Sequence, residues 1–98
     1  MKESKIRKNA IEILKAQGWV CWFPSKVRFQ ETDIFGILDL ACWRKNKMKF
    51  IQLTTTSNMS ARRKKMRTFM DKHGVSYPSI ELWGWHNDKK FFKVEKIK

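Results

Sequence analysis

Apolar residues recur at helical spacing near the start of the chain. Ile6, Ala10, Ile13, Leu14 and Gln17 fall on one stripe at i, i+4, i+7, i+8 and i+11, with Lys5, Lys8, Glu12 and Lys15 turned away. The pattern predicts a helix over 3–17, ended by Gly18 in the left-handed conformation that glycine adopts freely. Residues 19–23, WVCWF, are apolar at every position and predict a strand covered on both faces, stopped by Pro24. A polar, basic loop follows over 25–32. A second strand is predicted within 34–44, with Gly36 marking a bulge or a close backbone approach. After a turn at 45–47, a third strand over 48–55 places Phe50, Gln52 and Thr54 on one face.

The second half has the same legibility. A helix over 60–73, with Ser60 or Asn58 as its N-cap, turns Met59, Met66, Phe69, Met70 and His73 inward, and Arg62 falls inside that stripe. Lys64, Arg67 and Asp71 lie opposite, and Gly74 ends the helix. In 79–86, Ile80, Leu82 and Gly84 alternate with Glu81, Trp83 and Trp85. A turn at 87–88 leads to a lysine-studded edge strand over 90–97. The order α-β-β-β-α-β-β predicts an α+β fold, a mixed sheet flanked by two helices, as a single domain over 1–98.

Composition narrows the partners. A chain of 98 residues with 42% hydrophobic content, five Trp and seven Phe supports one core. Its 22 Lys and Arg against nine Asp and Glu leave a formal charge of +13, which points to an anionic partner, nucleic acid ahead of an acidic protein or membrane surface. No apolar run approaches a membrane span and the basic N-terminal stretch has no apolar core, so the expectation is a cytoplasmic protein with no membrane partner. Cys21 and Cys42 lack metal-ligand spacing and read as buried reduced thiols. His73 and His86 have no partners at metal spacing, and His73 reads as a helix-capping or core-edge residue. There is no P-loop, dinucleotide motif or Ser-His-Asp arrangement.

The chemistry gathers around Asp39 and the run Gln52-Leu53-Thr54, an acidic residue followed across a hairpin by a polar-x-polar pair. With the AQGWVCWFP stretch, the loop carrying Ser25 and the basic run after the third strand, this layout resembles the PD-(D/E)XK nuclease superfamily, and within it the archaeal Holliday junction resolvase-like group. The resemblance implies a restriction-endonuclease-like core and a DNA-binding, metal-dependent endonuclease that hydrolyses phosphodiester bonds, with branched DNA as a candidate substrate. It implies Mg²⁺ or Mn²⁺ held by Asp39, Gln52 and the Leu53 carbonyl, with Asp33 or Glu31 supplying a further carboxylate. Catalytic roles would fall to Asp39, Gln52 and Thr54.

Two side chains depart from the family pattern. Gln52 stands where the second carboxylate belongs, and Thr54 where the lysine belongs, so Arg62 or Lys65 is the candidate to take the lysine's place. The glutamate that the resolvase group carries early in its first helix falls near Arg7. The alternative is therefore a catalytically inactive nucleic-acid-binding protein on the same fold. Nucleases on this core often pair to cut two strands, which leaves a homodimer open.

Phosphate contacts are expected from two places. One is the loop with Ser25, Lys26, Arg28 and Gln30. The other is the second helix's N-terminus with Asn58, Arg62, Arg63, Lys64 and Arg67. DNA is the expected partner, with RNA also open. Trp83 and Trp85 either stack on unpaired bases or pack beneath a helix, and packing is the commoner use of alternating aromatics in a strand.

Overall fold

Two helices lie on opposite faces of one five-stranded sheet in the computed structural model of the chain, which describes residues 3–23, 38–74 and 79–97. The elements are α1 (Glu3–Ala16), β1 (Val20–Trp22), β2 (Leu40–Arg44), β3 (Lys47–Thr55), a 3-10 turn (Thr56–Asn58), α2 (Met59–His73), β4 (Ser79–His86) and β5 (Phe91–Ile97). The strands stand in chain order across the sheet. β3 and β4 are parallel and the other neighbours antiparallel. This is the mixed α+β arrangement that the periodicity predicts.

The alternation of each strand divides the core. Leu40, Cys42, Ile51, Leu53, Trp83 and Trp85 face α1, which buries Ile6, Ala10 and Leu14 against them. Ile80, Leu82 and Ile97 face α2, which contributes Met59, Met66 and Met70. Trp83 and Trp85 thus serve the core, packed against the Phe92 ring at 5.3 and 4.9 Å between centroids. Gly84 is needed where α2 begins. A Cβ there would stand 2.2 Å from Met59 Sδ.

Several expectations need correction. The stripe of α1 is narrower than the pattern suggests, since Ile13 and Gln17 are exposed and the buried line is the i, i+4, i+8 series alone. β1 is an edge strand with Val20 and Trp22 exposed, not a strand covered on both faces; α2 packs on β3, β4 and β5. The inward line of α2 runs through Met59, Arg63, Met66 and Met70, and Arg62 is turned outward. Arg63 is half-buried and makes a two-pronged pair with Glu95 of β5, at 2.6 Å from Nε and 2.5 Å from Nη2. His73 is exposed, its ring against Phe69. Leu38 forms an isolated bridge and β2 starts at Leu40. The part of the predicted second strand before position 38, with Gly36, lies outside the described residues, as do Ser25, Lys26, Arg28, Gln30, Glu31 and Asp33.

Candidate active site

The β2–β3 ribbon brings Asp39 and Gln52 together. Leu40 pairs with Ile51, and Asp39, one residue earlier and outside the strand, meets Gln52 through its side chain. The Asp39 backbone N–H donates to the Ile51 carbonyl at 2.8 Å. Beyond that point the Asp39 side chain replaces the strand ladder: its Oδ2 accepts the Leu53 backbone N–H at 2.7 Å. The same oxygen accepts Gln52 Nε2 at 3.0 Å, and Gln52 Nε2 also donates to the Leu53 carbonyl at 3.2 Å.

Chemistry fixes the orientation of this carboxamide. The Asp39 carboxylate and the Leu53 carbonyl only accept hydrogen bonds, so the side-chain group between them must present its N–H atoms. Gln52 is 5% exposed, and turning its Oε1 inward would set three oxygens against one another in a place with little water. Thr54, next along the same face, is also buried and brings a neutral hydroxyl where the resemblance calls for a cation.

Other candidate residues are spread along α2. Asn58 holds the N-cap position without a side-chain capping bond. Arg62, Lys64, Lys65 and Arg67 are exposed, and Arg63 is engaged by Glu95. The Arg63 guanidinium holds the Glu95 carboxyl below its ordinary range. Arg7, the position near the family's early glutamate, stacks over the Phe23 ring at 4.4 Å. Ser25, Lys26, Arg28 and Asp33 fall outside the described residues.

Among the described residues, Asp39, Gln52 and the Leu53 carbonyl as arranged do not make a divalent-cation site. Mg²⁺ and Mn²⁺ take oxygen donors, usually more than one carboxylate. Here one carboxylate oxygen and one carbonyl oxygen converge on the Gln52 amide nitrogen, whose hydrogens supply the positive charge density that an ion would bring. Among the described residues no three His, Cys, Asp or Glu side chains gather as a metal cluster.

Two polar contacts are not visible in the sequence pattern. On the α1 face, Lys49 Nζ lies 3.2 Å from Glu81 Oε1 and 4.3 Å from the Trp19 ring centre, and Trp83 Nε1 donates to the same Glu81 oxygen at 2.9 Å. This satisfies three polar groups at the edge of the core. The other is the cysteine pair, where the Cys42 thiol donates to Cys21 Sγ at 3.9 Å; both are free thiols, Cys42 buried and Cys21 only half-buried, where the pattern predicts both buried.

No family model and no curated protein sequence matches the chain. Among solved structures it is similar to Hjc of Archaeoglobus fulgidus, a Holliday junction resolvase from an archaeal hyperthermophile. The TM-score is 0.62 and the identity 7%, over 96% of this chain and 76% of that one. The fold is therefore the restriction-endonuclease-like one. Among the described residues no helix is long and apolar enough to cross a membrane.

Proposed function

We propose that this chain binds DNA on a nuclease scaffold without hydrolysing it. One observation carries the reading: the Gln52 amide nitrogen bridges Asp39 Oδ2 and the Leu53 carbonyl, the two oxygens that the nuclease resemblance assigns to a metal. With Gln52 and Thr54 at the positions of the second carboxylate and the lysine, those two positions supply neither a negative charge for a metal nor a cation to orient a nucleophile. Asp39 then works as a fixed structural acceptor, tying the start of β2 to β3.

DNA as the partner is supported by the +13 charge and by the exposed Arg62, Lys64, Lys65 and Arg67 on one helix. Such a surface neutralises phosphates and releases counterions, so binding should weaken steeply as salt rises. Nothing in the set reads base edges, so the backbone and its shape are the expected determinants.

The test is a pair of assays on duplex and four-way-junction DNA. Anisotropy should show binding that falls steeply with salt, and incubation with Mg²⁺ or Mn²⁺ should leave the DNA intact. Metal-dependent cutting that disappears in Asp39→Asn would overturn the non-hydrolytic reading in favour of an endonuclease. No binding at low salt would remove DNA as the partner.

A further inference from the structure

We propose that Trp22 and Trp43 form a stacking platform for unpaired nucleobases on the β1–β2 face. This deepens the nucleic-acid reading above and rests on it.

The placement follows from the register. Val20 pairs with Trp43 and Trp22 with Ala41, so all four side chains share one face, while Cys21 and Cys42 share the other with α1. Trp22 and Trp43 are diagonal neighbours, 59% and 61% exposed. Val20 beside them is 68% exposed, and Met48, which pairs with Trp43, is 41% exposed. Two large indoles this bare are costly to hold in water, and the other tryptophans, Trp19, Trp83 and Trp85, are all buried.

The geometry suits a base. Diagonal neighbours across an antiparallel pair lie about 7–8 Å apart, close to twice the roughly 3.4 Å rise between stacked bases. Trp43 is held in place by a hydrogen bond from its Nε1 to the Lys45 carbonyl in the adjoining turn. A pinned aromatic ring loses little freedom when a base stacks on it.

Charge selects the occupant. The turn that holds Trp43 carries exposed Lys45 and Lys47, and α2, with its exposed cations, lies on the same face of the sheet. Aromatic rings beside a basic track form the combination that holds single strands, where bases stack and phosphates follow the charge. A second copy of the chain suits the patch less well, because a two-fold contact here would bring two Lys45–Lys47 turns and two chains of +13 together.

The test compares wild type with Trp22→Ala/Trp43→Ala and Trp22→Phe/Trp43→Phe on oligothymidylate, oligouridylate and a duplex. Both sites are exposed, and circular dichroism checks that the variants fold. The Ala pair should lose about tenfold or more in affinity for the single strands, with the Phe pair restoring most of it and duplex affinity held within about twofold. The two oligonucleotides show whether the platform prefers a DNA or an RNA strand. Unchanged single-strand affinity in the Ala pair overturns the platform, and so does an equal loss on duplex. A wild-type dimer that the Ala pair converts to monomer, with single-strand affinity unchanged, makes the patch a self-association surface. Duplex binding without single-strand binding ends this inference alone, while loss of both also ends the reading beneath it.

Discussion

Gln52 donates from one nitrogen to Asp39 and to its own neighbour's carbonyl, so a carboxylate and a peptide oxygen share a single buried amide. Gln52→Glu should invert this balance. Two carboxylates would face each other, and the pair would hold a proton above the usual carboxylate range. A folded-state pKa raised in this way gives stability that is full at low pH and drains as pH climbs past the ordinary glutamate value. The variant should therefore match wild type near pH 4 and lose about 1–3 kcal/mol by pH 8. Mg²⁺ or Mn²⁺ should restore part of the loss, whereas wild type should not respond. Thermal unfolding with and without metal reads both effects, and a Gln52→Glu protein as stable as wild type at pH 8 without metal would contradict the bridging role.

Asp39→Ala removes the acceptor for the Leu53 N–H and for one Gln52 N–H together. Leaving buried donors unpaired costs about 1–3 kcal/mol each. Urea denaturation should show a loss of about 2–4 kcal/mol, a stability effect independent of any catalysis. A neutral result would mean that Asp39 does not tie β2 to β3.

Gly84→Ala should destabilise the protein by about 1–3 kcal/mol through overpacking. The added Cβ would meet Met59 at both Sδ, 2.2 Å away, and Cγ, 2.6 Å away, so the buried thioether chain must move from its root. Met59→Ala in the same chain should recover part of that loss, and the double-mutant cycle measures the coupling.

Burial, assisted by the neighbouring Cys21 thiol, pushes the Cys42 pKa from about 9 up to about 12. Both folded and unfolded chains keep this thiol protonated below pH 9. Between pH 9 and 12 only the unfolded chain releases the proton, so stability falls over that window. Denaturation at pH 8 and pH 11 should show a steeper decline for wild type than for Cys42→Ala. Equal declines would place the alkaline sensitivity elsewhere.

The element order was legible because each segment carries a clear period, from Ile6–Ala10–Leu14 in α1 to Ile80–Leu82 in β4. So was the meeting of Asp39 with Gln52, since hairpin register follows from turn length. The exposure of Trp22 was not legible. An all-apolar run such as 19–23 looks doubly covered, and that one face is bare follows only from α2 packing on β3, β4 and β5. Arg62 and Arg63 stand three and four residues after Met59, and both spacings share a helical face with it, so the pattern alone does not choose which of them lies in the inward line of α2. That Gln52 points its nitrogen inward depends on two acceptors thirteen and one residues away, and no local pattern contains that information.

The lone parallel seam gives the sheet a division of labour in time. Its two outer parts, β1–β2–β3 and β4–β5, are antiparallel, and the short turns at 45–46 and 87–90 let β2–β3 and β4–β5 close early. Position 49 must instead find position 79 across the whole of α2, a slow search because the loop entropy is lost before the seam returns any contact. The two pieces should therefore zip together last. Gly84→Ala, which lies on that seam, should raise the unfolding limb of a chevron far more than it lowers the refolding limb.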